Sequence, residues 1–336
     1  MPFLLEAEAY LRNAYPNDRP GVVVLLAVEG KVVFRAAYGL ADVRHNTPLS
    51  VHDVFRIGSL TKQFTAAAIL LLEERGLLKV QDRLQTHLPS YPDLTGSITL
   101  EHLLNHTSGI PSYTDRDDFE ELEGLDLSQQ EVLETFQNEP PLFKPGAEFS
   151  YSNSGYFLLG MVIERLSGTS LATFFHQEIF RPLGMLSTAM EGHGGVWPIQ
   201  GYTEEPDLQL APAISMTIPY ASGAIVSTLG DMFVWEQGMA RAKLLAHESW
   251  QRMWNPTRLT DGEMSGYGYG FEQRCVHGIQ VIDHDGGING FNSYSARTLD
   301  RGVFVCVLSN NDSGQPSTIE VGEHLIRMGQ KLRFGH

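Results

Sequence analysis

A mixed α/β (α+β) fold, one mainly antiparallel sheet flanked by the terminal helices with a helical lobe inserted in its middle, is what the sequence predicts from three observations. Residues 21–39, "GVVVLLAVEGKVVFRAAYG", carry β-branched runs on either side of Glu29-Gly30. From Ser59 to about Leu186 the apolar period is mainly helical. After about Tyr267 strand signals return, in "GYGYGFEQRCV", "IQVIDH", "FNSYSARTL" and "GVFVCVLSN". Strands at both ends with helices between them require one sheet built from distant segments. The expected division is 1–60 with 220–336 for the sheet lobe and 60–220 for the helical lobe, with a functional cleft at their seam.

Each element has a local reason. The first residues, "MPFLLEAEAYLRNAYPNDRP", read as an amphipathic helix and lack the basic-then-apolar layout of a secretory signal. Glu29-Gly30 and Asp300-Arg301-Gly302 are expected hairpin turns. The helical stretch "TKQFTAAAILLLEERG" stops at Gly76 and "NSGYFLLGMVIERLSG" at Gly168, both placed as helix-ending glycines. A last helix is expected from about Ser317 to Lys331. The acidic segment 115–126, "DRDDFEELEGLD", reads as a solvated loop or as a lid over a cleft, since long connections often carry binding function.

Composition excludes several roles. The 336 residues are 42% hydrophobic, enough for a well-buried globular protein. The formal net charge is −16 and there is no basic run, so neither nucleic acid nor an anionic membrane surface is an expected partner. The longest apolar run, 66–72, is far short of the roughly 18 residues a membrane span needs. A soluble, cytoplasmic protein is therefore expected, or a periplasmic or secreted one if a signal has been trimmed. Cys275 and Cys306 are expected to be free and buried.

The segment "RIGSLTKQFT" holds a lysine directly before the greasiest stretch of the chain. In a helix beginning near Ser59, residues i and i+3 share a face, so Lys62 reaches the Ser59 hydroxyl. Serine is a weak nucleophile until a neighbour takes its proton, and a lysine desolvated among apolar residues loses its charge and becomes a base. Spacing alone is weak evidence: 23 serines and 6 lysines in 336 residues give an expectation of about 0.4 Ser-x-x-Lys matches by chance. Two further groups add weight. Tyr151-Ser152-Asn153 precedes an apolar helix, where a loop presents a phenol and an amide. His284-Asp285-Gly286-Gly287 follows a strand and is expected to enter a glycine-rich turn whose bare backbone approaches a ligand. Tyr15 and His193 stand in similar short patterns, and only order and setting separate them.

Taken together, "DVFRIGSLTKQFTAAAILLLEERG", "TLEHLLNHTSGI", "PGAEFSYSNSGYFLLGMVIERLSG", "IFRPLGM", "ASGAIVSTLGDM" and "HDGGINGF" resemble the serine β-lactamases and penicillin-recognising hydrolases. The branch is the one holding class C β-lactamases, D-Ala-D-Ala carboxypeptidases, D-amino-acid peptidases and related esterases. The resemblance implies a β-lactamase/transpeptidase-like fold and acyl transfer on an amide or ester carbonyl. It implies Ser59 as nucleophile, with Lys62 and Tyr151 as the proton-transfer pair. Asn153, His284 and Gly286 would bind substrate, and the backbone N–H groups of Ser59 and Gly287 would form the oxyanion hole. His284 stands where β-lactamases usually have the lysine of Lys-Thr-Gly, which argues against an efficient β-lactamase. His106, in "NHTSGI", is expected to be structural. The remaining alternatives are a carboxylesterase of short acyl esters and a catalytically silent penicillin-binding sensor. The expected partner is a small-molecule or peptide substrate, and the oligomeric state stays open.

Other chemistries find no support. The sequence has no Gly-x-Ser-x-Gly and no His-Glu-x-x-His. His277, Asp283, His284 and Asp285 offer ligand atoms, but adjacent His284 and Asp285 on a strand point to opposite faces, so neither metal nor organic cofactor is expected.

Overall fold

The structure, a computed structural model, describes residues 2–94, 97–204, 206–300 and 302–334. Its main sheet has six strands in the order Glu272–Val276, Ile279–Ile288, Phe291–Thr298, Val303–Ser309, Val22–Val28, Lys31–Tyr38. Every neighbouring pair is antiparallel. The two ends of the chain meet where Val22–Val28 pairs with Val303–Ser309, Val22 opposite Ser309 and Val28 opposite Val303.

That strand explains its own sequence. It is covered on both faces, so "VVVLLAV" is a continuous apolar run with no polar alternation. Val23, Leu25 and Ala27 face a large inner core, whereas Val22, Val24 and Leu26 face a smaller outer one. The outer core is closed by the helices Pro2–Ala14 and Thr318–Phe334, through Ala7, Leu11, Val321, Leu325 and Met328. The hairpin at Glu29-Gly30 forms with both residues at positive φ. Strands Phe291–Thr298 and Val303–Ser309 also form a hairpin, although Arg301 of its expected turn lies outside the described residues.

Two expectations change. His284–Gly287 do not enter a turn: they are extended, inside Ile279–Ile288, with Gly286 opposite Ser293 and Gly287 opposite Asn292. The turn comes afterwards, at Asn289-Gly290. The glycines serve close backbone approach within a strand, described below. Cys306 is buried, but Cys275 is exposed, because Glu272–Val276 is the edge strand and covers little.

The inner core runs from the sheet into the helices without a break, joining Leu25, Cys306 and Leu308 to Phe64, Leu70, Phe157 and Val162. Its axis is the helix Thr61–Glu74, buried at every position from Thr61 to Leu72. Full burial is why the stretch is greasy all round rather than along one stripe. It ends with Gly76 at φ 73°, and the neighbouring helix Asn153–Ser167 ends with Gly168 at φ 68°. Among the described residues, no helix is long and apolar enough to cross a membrane.

Candidate active site

Ser59 sits in a single 3₁₀ turn, Gly58–Leu60, that leads into the helix Thr61–Glu74. The turn makes no side-chain cap, so the serine hydroxyl is not spent on capping. Gly58 has φ 48°, and a Cβ there would lie 3.0 Å from the Gly287 carbonyl oxygen. Gly286 is tighter still: a Cβ would lie 2.3 Å from Ile57 O and 2.9 Å from Ser59 N. Ser293 Oγ, one strand over, donates to Ile57 O at 2.8 Å. Bare backbone at Gly286 thus lets the strand Ile279–Ile288 press directly on the serine's turn. Gly286 itself is buried against that turn, with Gly287 beside it on the cleft.

Lys62 lies one turn further on and is fully buried. Its Nζ is 3.0 Å from Ser59 Oγ, 2.7 Å from Asn153 Oδ1 and 3.0 Å from Ser222 O. It also stands over the Tyr151 ring, 4.7 Å from the centroid. Burial pulls its pKa well below the usual lysine value, with Asp285 partly opposing.

Tyr151 is half-buried, with its hydroxyl enclosed and without a hydrogen-bond partner. Burial raises the phenol's pKa far above the ordinary value, and Ser59 is near enough to weaken that rise. The ring packs on His106, tilted by 33° with centroids 4.3 Å apart. His106 adopts φ 59°, and its Nδ1 accepts from the Ser152 N–H at 3.0 Å. Burial keeps this imidazole neutral, far below its usual pKa.

Asn153 opens the helix Asn153–Ser167, whose start is stitched to residues 111–114. Asn153 N–H donates to Ser112 Oγ at 3.1 Å, Asn153 Nδ2 to Thr114 Oγ1 at 3.0 Å, and Ser154 Oγ to Pro111 O at 2.7 Å.

His284 lies next to Tyr151, their ring centroids 6.1 Å apart. It is buried and stands behind the cleft, not on its lining. Its Nδ1 donates to Asp285 O at 2.5 Å, and its Nε2 accepts from the Tyr267 hydroxyl at 2.9 Å. Both nitrogens are therefore occupied. Burial, then Lys62, lower its pKa and keep it neutral. Asp283 is engaged by Arg274 and by Tyr294, whose hydroxyl donates at 2.6 Å.

A cleft of about 200 Å³ opens on Ser59. Gly287, Asn153 and Ser222 line it beside the serine. Its far walls are Tyr113, Thr114, Phe119, Ile214, Ile218 and Ile288, which sequence reasoning missed. Residues 214–219 have no period that would mark them, and Phe119 lies in a segment dominated by its acids. No lysine, arginine or acid lines the cleft among the described residues. The 115–126 segment borders it through Phe119, tied down where Asn289 Nδ2 donates to Glu123 Oε1 at 3.0 Å and Ser215 N–H to Glu123 O at 2.7 Å.

A sheet of this topology, with a serine and a buried lysine one helical turn apart at its edge, defines a serine hydrolase of the acyl-enzyme class. The β-lactamase family model matches residues 11–325, and the chain belongs to that family. It is 29% identical over 325 residues to penicillin-binding protein 4* of Bacillus subtilis, covering 90% of this chain and 71% of that protein. It is 27% identical over 312 residues to a D-aminopeptidase of Brucella anthropi, covering 91% of this chain but only 59% of that protein. Among solved structures, the octameric penicillin-binding protein homologue from Pyrococcus abyssi superposes with a TM-score of 0.82 at 25% identity, covering 99% of this chain and 76% of that one.

Proposed function

We propose that the protein hydrolyses an amide or ester through an acyl-enzyme on Ser59, with neutral Lys62 as the base. The carrying observation is the set of three contacts at Lys62 Nζ. A neutral amine has two hydrogens and one lone pair. Asn153 Oδ1 and the Ser222 carbonyl can only accept, so they take both hydrogens. The lone pair is then left facing Ser59, whose hydroxyl must donate to it. This is the geometry a general base needs, within about 2.6–3.2 Å of the proton it removes.

In this reading Ser59 Oγ attacks the substrate carbonyl as its proton passes to Lys62. The oxyanion is held by the N–H groups of Ser59 and Gly287. Tyr151, kept as a neutral phenol by burial, hands a proton to the leaving amine or alcohol and is re-protonated from Lys62. Water then releases the acyl group by the reverse path. Asn153 acts on the lysine rather than on the substrate's acyl chain, because its oxygen and one amide hydrogen are already engaged.

The cleft lining supports a substrate without a carboxylate next to the scissile bond, since no cation waits there for one. An ester or aminoacyl amide with an apolar side chain fits this better than acyl-D-Ala-D-Ala or a β-lactam, in line with the D-aminopeptidase relative. The test is a panel of matched esters, D- and L-aminoacyl amides, acyl-D-Ala-D-Ala and β-lactams. Sustained turnover of the compounds that lack a carboxylate, at least tenfold faster than of the carboxylates, is expected. A stoichiometric burst without turnover on every compound would instead assign a covalent sensor.

A further inference from the structure

Asn289 stands between the cleft and a neighbouring hollow. This second cavity, of about 280 Å³, is walled by Trp197, Leu210, Pro212 and Phe291. Trp197 and Leu210 are 63% and 60% exposed, large apolar surfaces left open beside the site. At the base of this cavity lies Arg56, three residues before the nucleophile, on the strand Phe55–Arg56. Its guanidinium would be the obvious anchor for a substrate carboxylate. Glu191 takes the Nε/Nη2 edge of its fork, Nε donating to Oε2 at 2.7 Å and Nη2 to Oε1 at 2.9 Å, while Nη1 donates to Asn289 O at 3.5 Å. The side chains are only 16% and 9% exposed.

We propose that this second cavity is a substrate subsite for a neutral, apolar group, and that the Arg56–Glu191 pair is its specificity filter. This rests on Ser59 being the nucleophile, as argued above. The pair contributes a surface that is polar but without net charge. An incoming carboxylate at the Nη1 end would have to displace the Asn289 carbonyl and stand beside the Glu191 carboxylate, which already offsets the guanidinium charge, so it finds no net cation to pair with. A carbamoyl, aryl or alkyl group meets no such opposition and packs on Trp197 and Leu210. The filter thus extends to the outer cavity the same preference that the uncharged inner cleft expresses.

Charge-matched probes separate this from a purely structural ion pair. Phenylboronic acids add reversibly to a serine hydroxyl, and 3-carboxyphenyl and 3-carbamoylphenyl boronic acids, with their 4-substituted isomers, have nearly the same shape. The ratio of their inhibition constants is the readout. Wild type is expected to favour the carbamoyl compound by at least tenfold. Glu191→Gln frees the guanidinium and should shift the ratio at least tenfold toward the carboxylate. Arg56→Gln leaves the carboxylate of Glu191 alone in the cavity and should shift it at least tenfold the other way. Two variants with opposite signs keep the test sound if either is poorly folded, and thermal melts report which is. Ratios within twofold of wild type in whichever variants fold would overturn the proposal. The nucleophile is tested separately in the same series, because Ser59→Ala should weaken all four compounds together.

Discussion

Lys62 carries the account at the scale of a single residue. Burial lowers its pKa from 10.5, so between its folded-state pKa and 10.5 the unfolded chain binds a proton that the native protein does not. The native state is therefore relatively stabilised as pH rises through that window, by up to about 1.4 kcal/mol per pH unit. Lys62→Met removes the group, so its stability measured against wild type should fall as pH rises from 7 to 10. Urea denaturation of both proteins across that range checks this, and parallel curves would mean that the native lysine stays charged. Tyr151 has the opposite sense: its raised pKa keeps the phenol protonated throughout the working range. Tyr151→Phe should then lose at least tenfold in turnover of amides, whose leaving amine needs a proton, and less for p-nitrophenyl esters, whose leaving group does not. Equal losses on both would remove the proton-donor role.

The pressing of the strand Ile279–Ile288 on the Gly58–Leu60 turn is what positions the serine among the elements. Gly286→Ala puts a methyl 2.5 Å from Ser293 Oγ as well as against Ile57 O. It should cost about 1–3 kcal/mol of stability by overpacking, and at least tenfold in kcat/KM by displacing the Ser59 N–H. Full activity in this variant would show that the contact is slack. The same strand shows where the sequence was legible and where it was not. The order of strands and helices could be read because period and glycine stops are local signals. Ser59, Lys62 and Tyr151 stand out as candidates because short phrases carry them. The setting of His284 was not legible because its Nε2 partner, Tyr267, lies 17 residues away. Residues 284–287 were expected in a turn because a strand and a glycine-rich turn look alike until the neighbouring turn is in place. The cleft wall at 214–219 was missed because packing on Phe119 and Asn289 leaves no periodic trace.

One inner core serves the whole molecule, extending from Leu25 and Cys306 in the sheet to Phe157 and Trp250 among the helices. The sheet and helical parts are therefore proposed as regions of one cooperative unit, although residues 60 and 220 mark convenient borders. In a Cys275→Ser background, Cys306 labelling reports the sheet, and amide hydrogen exchange along the helix Asn153–Ser167 reports the helical part. Their urea midpoints should coincide, and separated midpoints would establish two independently folding lobes. The central claim, that substrate becomes covalently attached to Ser59 with help from Lys62, is tested most directly by intact-mass spectrometry after acid quench. On mixing with a p-nitrophenyl ester of a D-amino acid, wild type should gain the mass of one acyl group, mapped to the peptide holding Ser59. Lys62→Met should gain it at least a hundredfold more slowly, in keeping with the roughly 10²–10⁴ that a positioned base supplies. An acyl group mapped elsewhere, or wild-type acylation rates in Lys62→Met, would contradict the account.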